Sequence, residues 1–522
     1  MNLQKLLDRI EVSEITGDQN PEIVGVVSDH RQVKPGYVFV CYQGLNVDGH
    51  SFISAAIKNG ASVIISEKRT KDLPNDITGV VTPNGRKAQA LCAANWFGNP
   101  AERLKLIGIT GTNGKTSTAH LTYGILHANG HKTAVLGTVG HTFDATSNGK
   151  QPLQIDIPAL LTTPDAFQLH AMLKQIADAG VEYVVMETSS QGLAQHRLTG
   201  LTFDTAVFTN LTQDHLDYHG TMDNYLAAKM MLFELLSPTG IAILNADSTA
   251  TSRIIQHIQN KNILTYGLEK AADLKARDVV STLHQLAFTA VVNKNIRINL
   301  SESLFKEIQT TIKLLGKYNI YNALAAIGVG LRYKCSESSF RAGLTSTVVP
   351  GRFERINVNG KPAKDFAVIV DYAHTPDGLE NVLSAARDIA EGRLISVFGC
   401  GGDRDSGKRP KMGAISTQIA DMSVITSDNP RTENPDDIIS EIVSILPHDA
   451  AFMCISERRQ AIRHAILEAK PGDVVVIAGK GHENYQEING KRFPFDDREI
   501  AAEILHNLSS QSQQEIVNMN SV

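Results

Sequence analysis

Short apolar runs alternate with amphipathic stretches along most of the chain, and that alternation sets the first expectations. In the first hundred residues, 36-GYVFVCY-42 and 61-ASVIIS-66 read as strands, with a helix between them near 51-SFISAAIKNG-60. A second series starts with 104-LKLIGIT-110 and continues through 181-VEYVVMET-188, 204-DTAVFTN-210 and 241-IAILN-245. Helical periodicity intervenes at 116-TSTAHLTYGILHANG-130 and 319-NIYNALAAIGVGLR-332. A third series holds 366-FAVIVDYA-373, 393-RLISVFG-399, 421-DMSVITS-427 and 473-DVVVIAGKG-481. Continuously apolar strands alternating with helices predict mostly parallel, doubly wound sheets buried on both faces. The joints 98-GNPAERL-104 and 347-TVVPGRFERI-356 divide the chain into 1–103, 104–347 and 348–522, and the polar tail 509–522 is expected to fray.

A length of 522 residues agrees with about three domains at roughly 100–200 residues each. The 42% hydrophobic and 20% charged content lets each domain bury a core. A net charge of −5 argues against nucleic-acid or polybasic membrane binding, so any basic site must be local. Five scattered cysteines without a CxxC pair do not form a disulfide framework or a structural zinc site. The amino terminus lacks a signal-peptide pattern, and no apolar run reaches membrane-spanning length. A cytoplasmic, monomeric protein is expected.

The strongest local motif is 110-TGTNGKTS-117, placed after an apolar strand and at the start of a helix. Gly111 and Gly114 let the backbone wrap around phosphates, and the helix start supplies the positive pole. Lys115 adds a charge for the terminal phosphates, and the Thr116 hydroxyl can ligate Mg²⁺. The loop is tighter than the common GxxxxGK[ST] pattern, because residue 109 is Ile where that pattern needs Gly.

Other chemistry gathers at strand ends. Glu187 closes an apolar strand and is placed to hold Mg²⁺, while Arg197 nearby suits an anionic substrate. His215 follows another strand and can act as a metal ligand or hydrogen-bond donor. Lys229 shares a helical face with Tyr225 and Phe233, where a lysine either snorkels to solvent or takes part in chemistry, and pattern alone favours snorkelling. In the last third, Asp371 and His374 can meet a nucleotide, and Arg404, Arg431 and Glu483 can grip a zwitterion. Taken singly, these motifs read equally well as turns, helix caps or solvated loops; 162-TTP-164 suits a helix start, and 428-DNPRTENP-435 suits turns.

Together, TGTNGKTS, METSSQGL, NLTQDHLDYHG, YLAAK, GKYNIYNALAA, PGRFE, DYAHTPDGLE, FGCGGDRDSGKRP, SDNPR and AGKGHE resemble the Mur ligases, in order, from about residue 25 to 500. The resemblance implies a small N-terminal α/β domain that binds a UDP-linked substrate. It further implies a central P-loop-type ATPase domain and a C-terminal Rossmann-like domain. The implied enzyme is an ATP- and Mg²⁺-dependent amide ligase of peptidoglycan synthesis. In it, ATP phosphorylates a carboxylate of a UDP-linked muramoyl dipeptide, and an amino acid attacks the acyl phosphate. By resemblance, Gly111, Thr112, Asn113, Gly114, Lys115, Thr116 and Ser117 hold ATP with Asn322, Arg352, Asp371 and His374. Thr116, Glu187, His215 and Lys229, the last as a carbamate, are the implied metal set, which reverses the snorkelling reading. Ser28, His30, Thr162, Thr163, Ser189, Gln195 and Arg197 are implied to meet the muramoyl dipeptide. Arg404, Asp428, Asn429, Pro430, Arg431, Gly479 and Glu483 are implied to form the amino-acid pocket.

The DNPR sequence is similar to the diaminopimelate-specific form, whose Arg suits a second carboxylate; lysine-adding relatives lack it. One departure is 28-SDHR-31, with His30 where the family usually has Ser. The rival readings are addition of L-lysine, a folylpolyglutamate-synthase-like ligase, a phosphotransferase with a stable phosphorylated product, and a non-catalytic nucleotide-binding regulator.

Overall fold

The run at 104–110 forms the strand Lys105–Thr110, which sends alternate side chains to opposite sides. Ile107 and Ile109 enter one apolar cluster and Leu106 the other. Helices Lys115–Ala128 and Lys317–Arg332 cover the first face; Ala166–Asp178 and Met222–Glu234 cover the second. Burial on both faces explains why these strands are continuously apolar. The computed structural model describes all residues except 20, 45–46, 71–72, 146–152, 158, 160, 259–261, 283–284, 294–305, 358–364 and 520–522.

Lys105–Thr110 lies between Tyr183–Glu187 and Phe203–Phe208, and all three run parallel. Thr133–Leu136 extends one side in parallel; Leu236–Asn245 and Asn262–Gly267 extend the other. The chain therefore moves to opposite sides of Lys105–Thr110, and its carboxyl end lies at a topological switch point, where open α/β sheets bind ligands. Both edges of this sheet are antiparallel. One edge adds His141–Ala145 and Leu153–Ile157; on the other, Leu274–Ser281 joins Asn262–Gly267 in parallel, and Leu286–Val292 and Glu307–Ile312 follow antiparallel. Apolar runs alone did not locate these edge strands. Leu274–Ser281, for instance, is exposed over most of its length and lacks the apolar signal.

The first sheet orders Glu14–Thr16, Thr78–Val81, Ala61–Ser66, Tyr37–Val40 and Gly25–Val27, antiparallel only at its first pair. The third orders Glu354–Arg355, Ala367–Asp371, Val474–Ala478, Leu394–Phe398, Met422–Ile425 and Phe452–Cys454, again antiparallel only at its first pair. A hairpin, Tyr485–Ile488 with Lys491–Pro494, follows it. The final helix, Asp497–Met519, continues into the tail that composition suggested would fray.

One buried ion pair fastens that helix. The Arg458 guanidinium donates from Nε and Nη2 to the two Asp497 carboxylate oxygens at 2.9 and 2.7 Å, and both side chains are fully buried. The same guanidinium also donates to the carbonyls of Ala478, at the end of Val474–Ala478, and of Ser427, just past Met422–Ile425. Among the described residues, no helix is long and apolar enough to cross a membrane.

Candidate active site

The loop after Lys105–Thr110 is shaped by two glycines at positions where any side chain is strained and crowded. Gly111 and Gly114 have φ of +148° and +84°. A Cβ on Gly111 would lie 1.8 Å from Thr209 Oγ1, and one on Gly114 2.3 Å from Asn322 Oδ1. Thr112 and Asn113 donate their backbone N–H groups to the carbonyl and side-chain oxygens of Asn210, at 3.0 and 2.9 Å. Helix Lys115–Ala128 starts at Gly114 without a side-chain cap, so its first N–H groups face outward, as anion binding requires. Gly114→Ala is expected to weaken nucleotide binding at least tenfold while the fold persists. Nucleotide titration by calorimetry, with circular dichroism for fold, checks this.

The loop opens onto a cavity of about 460 Å³ between the central and third sheets. Thr112 to Ser117, Glu187, His215, Asn322, Arg352, Asp371 and His374 all line it. Glu187 is buried at the strand end, where its Oε2 accepts from Thr116 Oγ1 and Thr138 Oγ1, both at 3.0 Å. Its Oε1 accepts from the Thr138 backbone N–H at 2.8 Å. Arg352 reaches across from the third unit, donating to Thr116 Oγ1 at 3.2 Å while its guanidinium lies 4.4 Å over the Tyr372 ring. Asn113 also bonds directly to Asp377.

The hydroxyl and carboxylate oxygens around Glu187 are hard donors of the type Mg²⁺ takes, with phosphate oxygens and water completing its shell. Among the described residues, no group of three or more His, Cys, Asp and Glu side chains is placed to hold a metal. His215 lies 3.4 Å from the Asp214 carboxylate. Burial holds its imidazole below the ordinary value although Asp214 pulls upward, favouring the neutral form that can coordinate a cation.

Lys229 does not snorkel. It is 1% exposed, donates to the Gly111 carbonyl at 2.7 Å, and lies 4.0 Å over the Tyr225 ring. Lys115 donates to that same carbonyl at 3.0 Å and to Thr112 O at 2.7 Å. Burial and the neighbouring Lys115 hold Lys229 well below the usual lysine range. Lys229 thus sits beneath the loop, whereas the other three residues of the implied metal set face the cavity.

Asp371 accepts from the backbone N–H groups of Phe353 and Ala373 at 2.6 and 2.8 Å. Burial raises its pKa although Arg352 opposes the shift. His374 is hydrogen-bonded through Nδ1 to Tyr372 O at 2.8 Å, and burial, with Lys408 near, pushes its pKa down to about 4. Asn322 Nδ2 donates to Asn319 Oδ1 at 2.8 Å, which orients the amide against the loop.

Beside the cavity, Thr163 is a junction. Its hydroxyl donates to Glu187 O and accepts from Ser189 N, both at 2.9 Å, and its carbonyl accepts from Arg197 at 2.7 Å. Arg197 also donates to Gln195 Oε1 at 2.8 Å, and Thr162 Oγ1 is 3.1 Å from Thr138 Oγ1. Ser28 and His30 lie apart, in the first unit. Ser28 accepts from Gln89 at 2.9 Å, and His30 stacks on Phe52 at 4.3 Å with 5° between the rings.

The amino-acid set assembles at the ends of the third sheet, away from the cavity walls. Asn429 Nδ2 donates to Glu483 Oε2 at 2.9 Å. Arg431, at φ +53°, donates to Gly402 O at 2.7 Å, with its Nε 3.6 Å from Glu487. Pro430 is buried between Asn429 and Arg431. Asp428 is buried, and a Cβ on Gly479 would come within 2.6 Å of its Oδ2. Arg404 is exposed, with only a long contact of 3.4 Å to Asp403 O. Sequence reasoning missed Thr138, Asp377, Lys480 and Arg458. Thr138 sits in a turn without a motif of its own, whereas Asp377, in the first turn of helix Pro376–Arg387, stood inside the quoted DYAHTPDGLE. Lys480 stood inside the quoted AGKGHE, and a lysine directly after an apolar strand was the available signal.

Three family models match the chain in succession. "Mur ligase family, catalytic domain" covers residues 22–99, "Mur ligase middle domain" 109–330, and "Mur ligase, glutamate ligase domain" 351–481. A UDP-N-acetylmuramoyl-L-alanyl-D-glutamate–2,6-diaminopimelate ligase of Clostridium acetobutylicum is 41% identical over 97% of this chain and 100% of its own length. An enzyme of the same name from Geobacillus thermodenitrificans is 41% identical over 96% and 98%. A solved structure under that name superposes with a TM-score of 0.66 at 32% identity, covering 97% of this chain and 99% of the other. A MurF ligase from Thermotoga maritima, solved with ADP, shares the fold at a TM-score of 0.59 and 18% identity, over 94% and 98%.

Proposed function

Because the chain belongs to the Mur ligase family, we propose that it is the ATP-dependent ligase that adds meso-diaminopimelate to UDP-N-acetylmuramoyl-L-alanyl-D-glutamate in peptidoglycan precursor synthesis. The carrying observation is that the 110–117 loop and Glu187 face a cavity completed by Arg352, Asp371 and His374 from the third unit. Residues 1–103 bind the UDP end, 104–347 bind ATP, and 348–522 hold the amino acid. The enzyme works as a cytoplasmic monomer.

The loop N–H groups and Lys115 hold the terminal phosphates of ATP at the switch point. Thr116, Glu187 and His215 would hold Mg²⁺, with Lys229 contributing as its carbamate. Bound there, the cation neutralises charge between two anions that must approach each other. The glutamyl carboxylate, presented near Thr162, Thr163, Ser189, Gln195 and Arg197, takes the γ-phosphoryl group, and ADP leaves. The diaminopimelate amine then attacks the acyl phosphate, an amide forms, and inorganic phosphate departs. Arg431, with Arg404, clamps the distal carboxylate, while Asn429 and Glu483 hold an ammonium.

Phosphate release with the UDP-linked dipeptide as acceptor, run over a panel of amino acids, tests this reading. Release is expected with meso-diaminopimelate and not with L-lysine. Release with lysine alone overturns the amino-acid assignment. Release without any amino acid supports a phosphotransferase instead. A preference for a folate acceptor supports the folylpolyglutamate-type alternative, whose Mycobacterium tuberculosis representative shares the fold at 17% identity.

A further inference from the structure

Lys480 follows the strand Val474–Ala478 and is completely buried, an expensive place for an ammonium unless it is well paired. Its Nζ donates to Asn429 Oδ1 at 2.9 Å and to Glu483 Oε2 at 3.3 Å, and it lies 5.5 Å from the Tyr485 ring centre. The Asn429 amide is thereby fixed in one orientation: its oxygen accepts from Lys480 and from Glu487 N, and its nitrogen donates to Glu483. On the same pocket floor lies Asp428, whose Oδ1 accepts from Asn429 N at 2.7 Å while its buried Oδ2 has no hydrogen-bond partner. Two carboxylates thus share one low-dielectric pocket, an arrangement in which one of them tends to take up a proton.

We propose that Lys480 is a positioning residue of the amino-acid pocket, whose ammonium, set between Asn429 and Glu483, keeps Glu483 a carboxylate able to receive the substrate's ammonium despite Asp428 beside it. The proposal rests on the assignment of Asn429, Arg431 and Glu483 to the amino acid. The charged and titratable groups facing Glu483 are Asp428 and Arg458 from neighbouring elements, Lys480 and Tyr485 from its own segment, and Tyr372 from the adjoining strand end. Burial and Asp428 raise the Glu483 pKa, and Lys480 pulls it back; Asp428 itself is held low by Lys480 and Arg458 against its burial. Without Lys480, Glu483 is protonated at a higher pH and loses its hold on a cationic amine.

The test is kcat/KM for diaminopimelate as a function of pH, which reports groups of the free enzyme. In K480Q the acid limb is expected to move up by about one pH unit, giving roughly tenfold loss at pH values below the wild-type limb that shrinks to nothing once pH exceeds the shifted limb, with the KM for ATP unchanged. D428N, which removes the competing carboxylate, moves the same limb down. A loss in K480Q that is uniform across pH marks a purely structural role and overturns the proposal. If K480Q does not fold, an unmoved limb in D428N overturns it equally. Absence of amino-acid-dependent phosphate release in the wild-type protein brings down the functional reading and this proposal together; a wild-type limb in both variants brings down this proposal alone.

Discussion

Lys229→Ala is expected to lower kcat by a factor on the order of 10²–10³, the cost of removing one preorganised group that stabilises charge at a reacting centre. Bicarbonate will not restore it. The argument starts from burial. An ammonium with one carbonyl partner and one aromatic face is poorly compensated, and Lys115 shares that carbonyl. Both facts favour the neutral amine, the form that adds CO₂ to give a carbamate and a proton. A carbamate replaces a repelled cation beneath the loop with an anion that can bind Mg²⁺. Wild-type protein depleted of CO₂ should therefore lose activity and regain it on adding bicarbonate, while the alanine variant stays inactive in both conditions. Full activity of the depleted wild-type protein removes the carbamate from the mechanism.

Arg431→Ala is expected to raise the KM for diaminopimelate by about 10- to 100-fold, matching the roughly 1.5–3 kcal/mol typical of a hydrogen bond to a charged group. The KM for ATP should not change, because Arg431 is not among the residues lining the nucleotide cavity. Arg431 is held for this task by an unusual backbone. Its φ of +53° is sparsely populated for an arginine, and its N–H and C=O are both tied to the following hairpin, through Glu487 O and Asn489 N. With Nη1 committed to Gly402 and Nε facing Glu487, Nη2 is the donor left to meet a carboxylate. Discrimination against lysine, which lacks the distal carboxylate, should fall by the same factor. Steady-state kinetics with both amino acids decides the matter, and an unchanged KM for diaminopimelate removes Arg431 from the pocket.

The parts of this molecule that were legible in its sequence share one physical property: burial on both faces. Lys105–Thr110, Tyr183–Glu187 and Val474–Ala478 each carry an unbroken apolar run, so each strand announced itself. The edge strands, such as Leu274–Ser281, Leu286–Val292 and Glu307–Ile312, did not, because polar positions interrupt them and their pairing partner decides their state. Glu187 and the 110–117 loop were found because a switch point forces functional groups to strand ends. Thr138 was invisible, since nothing local says that a turn after Thr133–Leu136 will return its N–H and hydroxyl to Glu187. For Lys229, helical spacing correctly placed it with Tyr225 and Phe233, but favoured the wrong end of the side chain's choice. Periodicity reports which face a residue occupies, not whether solvent is within reach of its tip.

The Arg458–Asp497 pair also bears on how the protein is made. Every strand of the third sheet has been synthesised by residue 478, yet the guanidinium buried among them gains its bidentate carboxylate partner only when the last helix arrives, with Asp428 the carboxylate already beside it. Until Asp497 leaves the ribosome, the charge beneath the carbonyls of Ser427 and Ala478 is only partly compensated. Docking of that helix is therefore expected to add its share of the third unit's stability late in translation.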